Sequence, residues 1–361
     1  MQARLAHCNI HPMRTDRLSD YIREEGMLRA GQVLPALIAL DHLGVDAAPI
    51  FNACGIPHGT IVDPEAAISL AAACQLMAAC TAATGHEYFG LLAARHASPS
   101  TMGVVGHLML QHDDVGSAVC SLMRNLHLSD RGAVPLFDLQ GGYALLGYVI
   151  ADYHACGTAS ALDLAIGTGH QLMCAMCGTQ WHASEIWLAH SPPSKPHHFE
   201  AFFRCPVRFD MPYSALLFPE ADLARPIIQR DAPSSRAASA CCAGSSASEL
   251  GPSPPFALQV KRLLRVLLAI QRCSAQETAD LMNVHTRTLN RRLKESGHTF
   301  RALADDARFD YARTLLHETR MSLPQIAAAV GYADATTFNR RFRQRAGTPP
   351  GQWRKSRRTT H

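Results

Sequence analysis

Little in the sequence reads as a targeting or membrane-spanning segment, and none is expected. Its opening stretch, MQARLAHCNIHPMRTDR, has no apolar core of the length a signal peptide needs. The longest apolar run, AAISLAAACQLMAACTAAT, is broken by Ser69 and Gln75. It is rich in alanine rather than in lipid-facing leucine, isoleucine and phenylalanine, so it reads as buried helix. A cytoplasmic chain with no membrane partner is expected. Also missing are the phosphate-loop pattern G-x-x-x-x-G-K-[ST] and the G-x-S-x-G, H-E-x-x-H and paired-carboxylate constellations. These absences remove the common routes to nucleotide and hydrolytic chemistry, so neither an enzyme nor a cofactor is expected.

What is present is material for a large core. Of 361 residues, 47% are hydrophobic and 18% charged, which favours two folded domains over one. The 12 cysteines, without a secretion signal, read as reduced thiols filling small apolar spaces. The net charge of +4 is unevenly spread: from Phe256 onward there are 20 Lys+Arg against 8 Asp+Glu, and before it 14 against 22. An acidic front and a basic back imply that only the back meets a polyanion.

Between them, RDAPSSRAASACCAGSSASELGPSPP is dominated by small residues, serine and proline. It reads as a flexible linker, giving expected units of 1–230, 231–255 and 256–361. Cys241 and Cys242 lie inside it; exposed thiols are the simple reading and a redox pair the alternative. In the front unit, helices are expected over roughly 31–43, 63–83, 87–95, 104–127 and 158–177. Strands are expected over 133–139, 143–150, 184–190 and 214–219. Gly141-Gly142 marks a hairpin between the first two strands. This mixture points to an α+β class, with helices on a small antiparallel sheet. The back unit reads as all-α.

The back unit says one thing twice. Ser274 with Glu277, and Ser322 with Gln325, form capping-box patterns 48 residues apart. Each opens a compact helix, ETADLM or QIAAAV, that reaches Asn283 or Gly331, residues that accept a left-handed backbone. A second helix follows in each copy. Leu289 and Leu293 face inward in the first, Phe338 and Phe342 in the second, at i, i+4 spacing. Arg287, Asn290, Arg291 and Lys294 lie on the other faces of the first. Thr336, Asn339, Arg340 and Arg343 lie on those of the second. Two helices, a tight turn and a basic second helix define a helix-turn-helix. Arginine grips guanine and asparagine grips adenine through paired hydrogen bonds, so these are apt base readers. Between the units, FRALADDARFDYARTLLHE (300–318) reads as a rod about 27 Å long at about 1.5 Å per residue. Such a rod would set the readers close to one turn of duplex apart, about 34 Å.

Residues 256–356 resemble the DNA-binding domain of the AraC/XylS family of bacterial transcription regulators. The strongest likeness is in LPQIAAAVGYADATTFNRRFRQRAGTPPGQWRK, with its I-A-x-x-V-G-Y, S/T-x-F-x-R-x-F and G-x-x-P-x-x-[YW]-R elements. The resemblance implies base contacts from Arg287, Asn290 and Arg291 in the first unit, and from Ala335, Thr336 and Arg340 in the second. Ala335 stands where a polar residue is common. In the front, FRCPVRFDMPYSALLFPEADLARP resembles the non-cupin α+β effector domain of a branch that includes regulators of ornithine and arginine use and virulence regulators. That likeness implies an unnamed small-molecule effector, a homodimer, promoter DNA and RNA polymerase as partners, and a ligand-responsive activator.

Three other readings stand beside it. His170, Cys174, Cys177 and His182 have a spacing that a metal or redox site can use, but an apolar core helix filled by Cys and Met is the favoured reading of the first three, so no metal is expected. Cys205, in RCPVR, superficially resembles the reactive cysteine of DNA-repair methyl acceptors, but the adjacent histidine is replaced by Val207. A constitutive dimeric regulator with no effector would have the same sequence signals.

Overall fold

The computed structural model describes residues 26–57, 59, 63–151, 158–228 and 255–358. The linker stretch before Pro255, including Cys241 and Cys242, lies outside the described residues.

The front part is built from α1 (Leu34–His42), α2 (Ala47–Ala53), α3 (Leu70–Thr84), α4 (Phe89–Ala94), α5 (Val104–Leu110), α6 (Val115–Asn125), α7 (Thr158–Cys177) and α8 (His197–Phe203). Some of them pack on a five-stranded sheet of β3 (Ala133–Gln140), β4 (Tyr143–Ile150), β5 (Glu185–Trp187), β6 (Val207–Arg208) and β7 (Ser214–Pro219). Its order is β3-β4-β7-β5-β6. A separate pair, β1 (Met27–Arg29) with β2 (Ala67–Ser69), sits beside it. The class is α+β, as the element pattern implied.

The hairpin forms where expected. Gly141 and Gly142 both take positive φ, 59° and 80°, the backbone that matches the twist of a two-residue turn. Ala133 pairs with Ile150 and Gln140 with Tyr143, so every register position of the hairpin follows from that turn. Pro135 has no N–H to donate, and β3 is an edge strand, where that loss is tolerated.

Four expectations need correction. The sheet is mixed, because β5 and β6 run parallel. The helix expected over 104–127 is two helices, and the break is a cap: Asp114 Oδ1 accepts from Ser117 N at 2.8 Å and starts α6. The helix expected from 63 begins only at Leu70, after a short strand, and the strand expected over 184–190 is confined to Glu185–Trp187.

Glycine shapes the helical layer at one crossing. A Cβ on Gly90 would run into the carbonyl oxygen of Ser160, so α4 and α7 approach backbone to backbone. That approach buries Ala93, Ala94 and Leu164 in the core.

The back part is all helical: α9 (Phe256–Ala269), α10 (Ala275–Leu281), α11 (Thr286–Glu295), α12 (Phe300–Glu318), α13 (Leu323–Ala329), α14 (Ala335–Ala346) and α15 (Pro350–Arg358). One apolar core runs on from the sheet into these helices, including Leu146 and Leu216 at one end and Leu263, Tyr311 and Leu315 at the other. No helix among the described residues is long and apolar enough to cross a membrane.

Candidate nucleic-acid interface

Each half of the back part is a short helix, a left-handed turn residue and an exposed basic helix. Ser274 Oγ accepts from Glu277 N at 3.1 Å and caps α10. The reciprocal bond of a capping box is not made there, because the Glu277 carboxylate pairs with Arg272 instead. At α13 the box closes: Ser322 N donates to Gln325 Oε1 at 2.8 Å and Gln325 N to Ser322 Oγ at 3.4 Å. The turns have φ +53° at Asn283 and +81° at Gly331. α11 and α14 follow at Thr286 and Ala335.

Leu289 and Leu293 of α11 are fully buried, and so are Phe338 and Phe342 of α14. The aromatic pair is part of a longer stack. Phe342 lies 5.1 Å from the Phe309 ring on α12 and 6.1 Å from Trp353 on α15, and Phe338 lies 5.8 Å from Tyr332. With one side of each helix anchored, the other is fixed toward solvent. Arg287, Asn290, Arg291 and Lys294 are exposed, as are Thr336, Arg340 and Arg343. Arg291 is near Glu295, at 3.9 Å, but both are well exposed and the pair holds the guanidinium weakly. Two residues of the second set sit differently. Ala335 is half-buried against the core, and Asn339 is half-buried with Oδ1 turned inward.

α12 spans 19 residues, with Leu303, Ala307, Tyr311 and Leu315 all buried along one side. Arg345 of α14 pairs with Asp306, tying the second reader to this rod. The rod is also docked on the front part, which sequence periodicity did not reveal. Tyr311 Oη donates to Pro212 O at 2.7 Å. Arg265, 3% exposed, donates from Nη1 to Ala151 O at 3.0 Å and from Nη2 to Asp310 Oδ2 at 3.1 Å. Lys261 Nζ lies 3.0 Å from the same oxygen. Burial alone would raise the Asp310 carboxyl, but the hydrogen bonds and charges of Lys261 and Arg265 hold it below the usual carboxylate value. Beyond the rod, Arg320 N donates to Asp210 Oδ1 at 2.6 Å.

The alternative sites read differently in three dimensions. His170 Nε2 lies 3.6 Å from Cys174 Sγ, and its ring is packed among Trp181, Phe202 and Phe203. Burial pushes His170 down to about 4 and Cys177 up to about 11. Among the described residues, no group of three or more His, Cys, Asp or Glu is placed to hold a metal ion. Cys205 is pushed up to about 11 by burial and by Glu185, the reverse of what an activated nucleophile needs.

Paired helix-turn-helix units flanking a rod define a DNA-binding transcription regulator. Residues 44–227 match the family described as the arabinose-binding domain of AraC transcription regulator, N-terminal, and residues 278–356 match the helix-turn-helix domain family. The first match covers more than half of the chain, and the chain belongs to the AraC family, in the branch whose N-terminal domain is not a cupin. The ornithine utilization regulator of Pseudomonas aeruginosa is 22% identical over 313 residues, 87% of this chain and 92% of that protein. The HTH-type transcriptional regulator VirS of Mycobacterium tuberculosis is 23% identical over 330 residues, 91% and 96% of the two chains. Among solved structures, the transcriptional regulator CdpR from Pseudomonas aeruginosa aligns over 74% of this chain and 86% of its own, at 21% identity and a TM-score of 0.35.

Proposed function

We propose that this regulator is a cytoplasmic, effector-responsive transcription activator that acts as a homodimer and helps recruit RNA polymerase, with no enzymatic activity of its own. In this reading 1–230 is the effector-binding and dimer-forming unit, 231–255 a tether and 256–361 the DNA reader. α11 enters one major groove with Arg287, Asn290, Arg291 and Lys294. α14 enters the next with Thr336, Arg340 and Arg343, with Ala335 and Asn339 at its rim. The observation that carries the reading is the repetition of cap, left-handed turn and exposed basic helix at the two ends of one 19-residue rod. Direct docking of that rod on the front part supplies a physical route by which a bound effector biases the reader.

The test is footprinting of the full chain on duplexes recovered by in vitro selection. Two protected stretches about one helical turn apart are expected. Arg291→Ala and Arg340→Ala should each weaken protection of one stretch and cost about 1–3 kcal/mol at the selected site. Unchanged footprints for both variants would overturn the assignment.

A further inference from the structure

The front part contains a partly open cavity that the DNA-reading function leaves unused. It measures about 110 Å³ and lies where α3, α6, α7 and β4 converge, between the two apolar cores of the front part. Leu70 and Met77 of α3, Leu164 and Leu172 of α7, Ile150 of β4, and Leu126 just after α6 form much of its wall. A cavity of about 150 Å³ with such a lining takes up benzene, so this one has the scale of a single small ring.

Polar groups are few and distinct. Gln32 lines the cavity, and its Nε2 is buried without a hydrogen-bond partner among the described residues. An amide donor in that state is costly unless something accepts from it. Asp130 also lines the cavity, but its oxygens are already used: Tyr148 donates to one and Gly132 N, at 2.8 Å, to the other. Burial pushes the Asp130 carboxyl up despite those bonds. Among the described residues, no lysine, arginine or histidine is in the lining.

We propose that this cavity is the effector site and that it takes an uncharged, mainly apolar molecule of about single-ring size, whose one hydrogen-bond acceptor meets Gln32 Nε2. The proposal rests on the reading of the front part as an effector unit. A carboxylate would enter without a cation to pair with, next to an acidic group. A sugar would lose water from several hydroxyls with too few partners to replace it. A diamino acid would suffer both defects. The cavity is also well placed to act on the reader. Tyr148 and Ile150 line it and also line the gap beneath α12, together with Pro212, Tyr311 and Leu315. An occupant that presses on these two β4 residues moves part of the seat of the rod.

The experiment is calorimetric titration of the full-length protein with benzamide, toluene, benzoate, benzylamine, L-ornithine and L-arabinose, each repeated with the footprint on selected DNA. Benzamide should bind at least about tenfold more tightly than toluene, the worth of one buried hydrogen bond. It should also outbind the charged probes and the sugar. Ala73→Phe, which fills the cavity from α3, should weaken benzamide by at least about tenfold while the protein still footprints. Gln32→Leu should reverse the order, so that toluene binds better than benzamide, and it carries the test if Ala73→Phe does not fold. The proposal is overturned if benzamide does not bind, if toluene matches it, if a charged probe or the sugar exceeds it, or if neither variant changes its affinity. Should ornithine or arabinose bind where benzamide does not, the effector reading survives and this cavity is excluded. Benzamide that binds but leaves every footprint unaltered would preserve the site and sink the effector reading.

Discussion

The carbonyl of Glu318, the last residue of the rod, accepts hydrogen bonds from both the N–H of Ser191, at 2.7 Å, and its hydroxyl, at 3.0 Å. A helix ends with carbonyls that lack intrahelical partners, and here the front part supplies the missing donors. The last carbonyl of the rod is therefore capped by the front part. Ser191→Ala keeps the amide bond and loses the hydroxyl. It should lower stability by about 1 kcal/mol in urea unfolding of the full chain.

Arg265 offers a stronger test of the same docking. Replacing it with methionine leaves the Ala151 carbonyl without this donor and Asp310 with Lys261 as its remaining cation. A loss of about 3 kcal/mol is expected, read by chemical denaturation. A loss below about 1 kcal/mol would mean that the contact contributes little in solution.

Acid should weaken the same junction. The folded-state pKa of Asp310 is depressed, so its contribution is fully present above about pH 4 and drains away as pH falls through the folded value. Stability measured against pH should show that acid limb in the wild type, and Asp310→Asn should flatten it.

His190 works in the opposite sense. Its Nε2 lies 2.8 Å from Asp163 Oδ1, and both side chains are buried. Burial favours the neutral ring, but Asp163 and the Ser191 carbonyl outweigh it and raise the pKa. A raised folded value means a contribution fully present below about pH 6.5 and lost as pH rises through the folded pKa. His190→Gln should remove that alkaline-side decline in the unfolding midpoint.

Turn chemistry sets the reader geometry. At φ +81°, Gly331→Ala should cost about 1–2 kcal/mol, because a Cβ is strained in the left-handed region. Asn283→Gly, at φ +53°, should be neutral or stabilising. Ser322→Ala, which opens the closed capping box, should cost about 1 kcal/mol. Thermal unfolding checks all three.

The features legible in the sequence share one physical property: their causes are local. The hairpin at Gly141-Gly142, the helix over 158–177, both caps, both left-handed turns and the i, i+4 anchors of the two readers are each set by residues within a few positions of one another. Even the missed break in 104–127 had a local sign, since Asp114 and Ser117 form an ordinary cap signal. The inward turn of the Asn339 oxygen had none, because it depends on how α14 seats on its neighbours.

By itself, then, the sequence determined that two basic helix-turn-helix units stand at the ends of a rod, because capping, turn conformation and apolar spacing act over single turns of chain. Only the tertiary structure decided that β5 and β6 run parallel, that the rod docks on the front part, and that a cavity with one unsatisfied amide lies behind β4. The last two features depend on groups about 100 residues apart, such as Tyr311 and Pro212 or Gln32 and Asp130. No local periodicity encodes which distant backbone oxygen a buried side chain will meet.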